Sequence, residues 1–230
     1  VKFVIAITAK EESKSFPYKN HQVIGDTPLY GFCLETATKV KSIMEEEGHE
    51  VVVVMDSDSA QYRAYAVHHH GADILVRPKQ LTKENITGDH LAVWEALNYR
   101  KHDVLVQLSP ICPFTKWETI VTGLSWFIEN EVPTSLVGAS FTQVPMWIGD
   151  YYNFVNEDGT LKHHKKLDGV MAETTGLYMA KIPWILKHNR RASLNPKDAM
   201  FITQTPIERI LIRTKEDLEL ARIVWKGLTT

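Results

Sequence analysis

Cysteine is nearly absent from this sequence. Cys33 and Cys112 are the only two among 230 residues. They form neither a disulfide framework nor a Cys-x-x-Cys site, a usage that suits a reducing, cytoplasmic setting. Glycine is placed so as to exclude two nucleotide-binding devices. No Gly-x-Gly-x-x-Gly occurs, and no two spaced glycines precede a Lys-Ser or Lys-Thr, so the dinucleotide fingerprint and the Walker pattern are both missing. No apolar run is long enough to cross a bilayer and no signal-like segment opens the chain, so no membrane contact is expected. Excess charge is missing as well: 26 Lys and Arg against 28 Asp and Glu leave a formal net charge of −2. That balance argues against a general nucleic-acid or membrane-surface binder. No repeat, low-complexity tract or flexible linker breaks the chain, so residues 1–230 are expected to form one domain.

What is present is an alternation of strand-like and helix-like segments. A hydrophobic content of 44% is enough for a real core. Lys2–Thr8 reads as a buried strand. Leu29–Glu47 has helical periodicity through Leu34, Ala37, Val40 and Met44, with Gly48 as its stop. Val51–Met55, Ile74–Val76, Val104–Leu108 and Ser135–Ser140 read as strands. Ser59–His70, Gly88–Tyr99 and Thr115–Asn130 read as helices between them. The alternation predicts an α/β fold with a doubly wound, mostly parallel sheet, whose active site lies outside the carboxyl ends of the strands. Those ends are the loops after Thr8, Met55 and Leu108.

The rhythm changes at 144–167. Trp147, Tyr151, Tyr152 and Phe154 cluster there, followed by a turn at Asn156–Gly159 and the basic run Lys162–Lys166. A projecting hairpin arm is expected, and exposed aromatics on it point to a homodimer; the alternative is that they cover one end of the domain's own core. Gly176–Ala180 and Ile207–Ile212 read as further strands. Lys215–Trp225 reads as a closing helix with Thr214 as N-cap and Asp217 as an acidic capping-box partner.

The first strand empties into Lys10-Glu11-Glu12-Ser13-Lys14-Ser15-Phe16-Pro17-Tyr18-Lys19-Asn20. A loop of backbone N–H groups, ammonium charges, a serine and an asparagine suits a polyphosphate; a solvated loop is the other reading. Ile7 to Asn20 resembles, without a gap, the opening motif of the CMP-sialic acid synthetases (acylneuraminate cytidylyltransferases), Ile-Pro-Ala-Arg-Gly-Gly-Ser-Lys-Gly-Ile-Pro-x-Lys-Asn. Ala9, Ser13, Lys14, Pro17, Lys19 and Asn20 match it. Further likenesses follow in order: Thr27-Pro28-Leu29, Asp56-Ser57-Asp58-Ser59, Arg77-Pro78-Lys79-Gln80-Leu81-Thr82, Pro110-Ile111-Cys112-Pro113, Thr175-Gly176-Leu177-Tyr178 and Thr214 to Glu219.

The resemblance implies a nucleotide-diphospho-sugar transferase-like fold and an enzyme that joins CTP to an acidic sugar, releasing pyrophosphate with the help of Mg²⁺. It implies that Lys10, Ser13, Lys14, Lys19 and Asn20 surround the triphosphate and ribose, with Lys10 and Lys19 as catalytic cations. Lys19 would stabilise charge on the α-phosphate. Arg77, Thr87 and Gly88 would contact the cytosine, and Gln107, Ser109 and Thr175 the sugar.

Departures from the family pattern are as informative. Lys10 replaces an arginine, which keeps the charge and loses the bidentate fork. Glu11 and Glu12 replace two glycines. Leu211 and Arg213 stand where the family's Asp-x-Asp would ligate Mg²⁺, and nothing in the spacing shows whether Asp56, Asp58, Glu11 or Glu12 substitutes. Arg213 either supplies positive charge near the phosphates or caps a strand end in solvent. A non-catalytic nucleotide- or sugar-binding relative and a glycosyltransferase-like domain are the rival readings. His68-His69-His70 reads as a helix end rather than a metal site, because consecutive helical residues point in different directions. Cys112 reads as a buried structural thiol.

Overall fold

The computed structural model describes residues 1–13, 16–156, 158–163, 169–195 and 197–229. Along the chain run β1 (Lys2–Thr8), a small hairpin of β2 (Val23–Ile24) and β3 (Thr27–Pro28), α1 (Leu29–Glu46), β4 (Glu50–Ser57), α2 (Ala60–His70), β5 (Asp73–Val76), α3 (Gly88–Asn98), β6 (Val104–Leu108), α4 (Trp117–Ile128), β7 (Ser135–Thr142), a short pair of β8 (Trp147–Ile148) and β9 (Tyr151–Tyr152), β10 (Val170–Lys181), α5 (Ile182–His188), β11 (Ala199–Thr203) and α6 (Lys215–Thr229).

Seven strands form one sheet in the order β11-β7-β10-β6-β1-β4-β5. β1 runs parallel to both β4 and β6, and β4 to β5 and β7 to β11 are parallel as well. β10 alone is antiparallel, to β6 on one side and β7 on the other. The doubly wound character is written in β1. Phe3, Ile5 and Ile7 pack with the buried faces of α1, α2 and α4, while Val4 and Ala6 pack with Ala92 and Ala96 of α3 and Ile182 and Ile185 of α5. Side chains alternate across a strand, so a strand covered on both faces has no polar position to show.

A third apolar cluster closes the end of the fold near the loop after β1. Leu218 and Ala221 of α6 join Phe16, Ile24, Leu29, Phe32, Phe114 and Ile212, with Trp225 packed against them. Phe16 thereby pins the far side of the loop. α6 begins as expected: the Asp217 N–H donates to Thr214 Oγ1 at 3.2 Å, and Asp217 Oδ2 accepts from the Thr214 N–H at 2.8 Å. His68, His69 and His70 fill the last turn of α2, before Gly71 in a left-handed conformation.

Three features differ from the sequence reading. Ile207–Ile212 is not a strand. Glu208 is fully buried and gathers four donors: Lys116 N–H at 3.1 Å, Thr119 Oγ1 at 2.6 Å, and both the N–H and Oγ1 of Thr205 at 2.9 Å. These bonds curl the segment, and its isoleucines serve the third cluster instead of a sheet. Thr205-Pro206-Ile207-Glu208 has capping-box spacing, which suits such a turn. The edge strand is β11, and α5 is a helix that the periodicity did not reveal.

The arm does leave the sheet as a hairpin over its described part. Ile148 pairs with Tyr151 across a turn at Gly149, Trp147 stacks on Tyr152 at 4.5 Å, and the buried Asn153 ties to the backbone of Met146 and Val144. Glu157 and 164–167 of the arm lie outside the described residues, as does most of the basic run.

Candidate active site

The carboxyl ends of β1, β5 and β6 open on a two-part cleft. One part, a cavity of about 220 Å³, is lined by Lys10, Ser13, Lys19, Asn20, Arg77, Thr87, Gly88 and Ser109, among others. The adjoining part, about 150 Å³, is lined by Gln107, Ser109, Thr175, Gly176, Tyr178 and Arg191. Thr8, Gly88, Leu91 and Ser109 border both. The fold thus brings into one cleft every described residue that the resemblance assigns to the nucleotide or the sugar; Lys14 lies outside the described residues.

The loop after β1 is held from below. The Ala9 N–H donates to the Asp56 carbonyl at 3.0 Å, the Glu11 N–H to Asp58 Oδ1 at 2.9 Å, and Ser59 Oγ to Glu11 Oε1 at 3.0 Å. Glu11 is therefore turned toward the loop after β4 and away from the cleft, which lessens the repulsion its charge would exert on an anion. Asn20 is buried and donates from Nδ2 to the Lys10 carbonyl at 2.9 Å, drawing the two ends of the loop together. Half-buried Lys19 has its pKa lowered, first by burial, then by the positive charges of Lys10 and Arg213, against an opposing pull from Asp217. Cations crowded this way are a poor arrangement for the empty protein and a good one for a bound polyanion.

Under the cleft lies a buried polar network. Arg77 donates from Nε and Nη2 to the two carboxylate oxygens of Asp56, at 3.1 and 2.9 Å, and from Nη2 to the Asp56 carbonyl at 2.8 Å. Glu95 of α3, fully buried, accepts from Thr8 Oγ1 at 3.2 Å and from Gln107 Nε2 at 2.7 Å. Two carboxylates share one guanidinium, so burial first and the Asp56 charge second hold the Glu95 pKa well above its usual range. The bond to Glu95 fixes the Gln107 amide, and among the described residues Gln107 Oε1 is buried with no partner.

The second part of the cleft contains a residue that sequence reasoning missed. Arg191 lies 3.6 Å over the Tyr178 ring, and its N–H donates to Asp89 Oδ1 at 3.0 Å. Tyr178 in turn donates from its hydroxyl to Glu173 Oε2 at 2.8 Å. Arg191 depends on Gly88, where a Cβ would come within 2.0 Å of its Nη1. The Asn189-Arg190-Arg191 run after α5 was the available signal, but nothing local ties it to Gly88, about a hundred residues away. Thr175 sits at a break in the β10 register with φ +60 and a buried Oγ1 that has no partner among the described residues. A β-branched residue rarely adopts that conformation, and such outliers gather at functional sites. Gly176 lets the chain pass Cys112, whose Cβ would lie 2.5 Å from an added Cβ. Cys112 itself is buried and its thiol pKa is pushed up to about 12, chiefly by burial, so it is not an available nucleophile.

Comparison with known proteins gives a consistent answer. The family described as Cytidylyltransferase matches residues 4–221. The N-acylneuraminate cytidylyltransferase of Escherichia coli is 26% identical over 147 residues, 64% of this chain and 33% of that protein. The matched stretch thus spans about a third of the length of that curated relative. Among solved structures, a CMP:2-keto-3-deoxy-manno-octonic acid synthetase complexed with CTP superposes with a TM-score of 0.70 at 14% identity, over 99% of both chains. A 4-diphosphocytidyl-2C-methyl-D-erythritol synthase from Anaerococcus prevotii gives 0.61 at 13% identity, over 98% of this chain and 99% of its own. At these identities the likeness concerns the fold, a mostly parallel sheet flanked by helices.

Proposed function

This chain belongs to the cytidylyltransferase family, and on that premise we propose that it transfers CMP from CTP to a hydroxyl of an acidic sugar. The acceptor oxygen forms a bond to the α-phosphorus, the bond to the pyrophosphate oxygen breaks, and the hydroxyl proton leaves for solvent. The observation that carries this reading is the continuity of the cleft. A lysine-rich half around Lys10 and Lys19 meets a half containing Gln107, Thr175 and Arg191, across a shared border at Thr8, Gly88 and Ser109. In-line displacement needs both reactants at one place, and most of its catalysis is positioning and charge. Lys10 and Lys19 take the phosphates, Ser13 and Asn20 their surroundings, and Arg77, Thr87 and Gly88 the base. Gln107, Ser109 and Thr175 take the sugar hydroxyls, with Arg191 as a fixed cation for its carboxylate.

The test is pyrophosphate release from CTP, UTP, GTP and ATP, each with N-acetylneuraminate or 2-keto-3-deoxy-manno-octonate. Release that requires CTP together with one of the acids is the expected result; saturable CTP binding without release by any acid would move the chain to the non-catalytic reading. That second reading draws on one feature, the lack of a carboxylate among the described residues lining the lysine-rich half. The exposed apolar surface of the arm supports a homodimer: Trp147, Ile148 and Leu161 are 71%, 51% and 66% exposed.

A further inference from the structure

The described residues that line the phosphate end of the cleft include Lys10, Lys19, Lys83 and Arg77, but no aspartate or glutamate. Several carboxylates near that end have partners inside the protein. Both oxygens of Asp56 are taken by Arg77. Glu11 Oε1 accepts from Ser59, and Asp58 Oδ1 from the Glu11 backbone. Asp217 Oδ2 accepts from the N–H groups of Arg213 and Thr214 at 2.7 and 2.8 Å. A divalent cation such as Mg²⁺ needs hard oxygens with free lone pairs converging on one point. Among the described residues no group of three or more His, Cys, Asp or Glu side chains is placed to hold one, although Mg²⁺ bound through substrate phosphates needs as few as one or two carboxylates. The two positions that resemble the family's metal-binding aspartates bring a hydrocarbon, Leu211, and a guanidinium, Arg213. The residues at those two positions do not fit a protein-held Mg²⁺.

The backbone explains where Arg213 goes. The Ile212 N–H donates to the Ile111 carbonyl at 2.8 Å, and Ile111 lines the cleft. The Ile212 side chain is fully buried in the third cluster, so residue 213 is held at the cleft's edge while its side chain stays exposed. We propose that Lys10, Lys19 and Arg213 form a fixed cationic cluster that meets the triphosphate in place of a metal ion held by protein carboxylates. It rests on the reading that CTP occupies the cleft. The charge arithmetic agrees: two aspartates and one divalent ion sum to zero, whereas Leu211 and Arg213 contribute one positive charge with no ion. A guanidinium stays protonated and presents a fork matched to phosphate oxygens.

Titration calorimetry of CTP and of cytidine, in EDTA and in excess Mg²⁺, tests this on the intact chain. CTP is expected to bind in EDTA, with Mg²⁺ changing its Kd by less than about threefold. Arg213→Ala should weaken CTP about tenfold in EDTA, roughly 1.4 kcal/mol, while leaving cytidine within about twofold. Arg213→Lys should keep most of the affinity, and Leu211→Asp with Arg213→Asp should make CTP binding depend on Mg²⁺. CTP binding seen only with Mg²⁺ overturns the cationic cluster and leaves the nucleotide reading standing, as does unchanged CTP affinity in Arg213→Ala. Absence of CTP binding under both conditions removes the nucleotide reading and the cluster with it.

Discussion

Replacing Glu95 by Gln should stabilise the protein increasingly as pH rises. Glu95 is fully buried beside Asp56, whose own charge is already matched by Arg77. The third charge has no cation of its own, so the folded state holds a proton on Glu95 that the unfolded chain releases near pH 4.5. The sign follows from linkage. Above about pH 4.5 the folded state binds more protons than the unfolded one, so this group's contribution is complete below that pH and is lost as pH rises toward the folded pKa. The slope is at most about 1.4 kcal/mol per pH unit. A Gln side chain keeps an acceptor for Gln107 and turns its N–H toward the Thr8 hydroxyl, whose oxygen can accept, but it has no proton to lose. Between about pH 5 and pH 7, the stability of Glu95→Gln relative to the parent should therefore rise by up to about 2.7 kcal/mol. Urea denaturation of both proteins at several pH values measures it, because all other titrating groups cancel in the difference. A difference that stays constant with pH would refute the shared-proton reasoning. Glu95→Ala is the contrast: it strips partners from Gln107 and Thr8 and should cost about 2–4 kcal/mol near pH 5, a cost that shrinks with the same slope as pH rises.

Three further outcomes follow from single contacts. Thr175→Asn should relieve the left-handed strain at φ +60 and raise Tm by about 1–3 °C for about 0.5–1 kcal/mol; calorimetry showing a lower Tm would count against strain there. Gly88→Ala should push Arg191 off the Tyr178 ring and raise KM for the acidic acceptor about tenfold, with less than about 1 kcal/mol change in stability; an unchanged acceptor KM would remove Arg191 from the site. Trp147→Lys combined with Ile148→Lys should convert a dimer to a monomer in sedimentation velocity with Tm unchanged, and a parent protein that is already monomeric at micromolar concentration would dispose of the arm interface.

Local spacing carried the core of this fold. The unbroken apolar run of β1, the period of α1 and the capping pair Thr214 and Asp217 each declare an element through neighbours a few residues apart, since burial on a strand or helix face repeats with the element's own period. The loop from Lys10 to Asn20 shows its cations within one short segment, but most of its anchors, Asp56, Asp58 and Ser59, come from β4 and the loop after it. Where apolar spacing and polar bonding compete, the sequence was ambiguous: Ile207–Ile212 has the composition of a strand, and only the four donors converging on Glu208 from α4 and Thr205 decide that it turns. The chemistry of the cleft belongs to tertiary structure. Thr8, Asp56, Arg77, Glu95 and Gln107 come from five separate segments and meet only because β6, β1, β4 and β5 lie side by side. Arg191 reaches Tyr178 because β10 inserts antiparallel between β6 and β7. Residue type told which groups carry charge. Whether a carboxylate faces a ligand, a guanidinium or another carboxylate is a matter of distances between strands, which no spacing along the chain encodes.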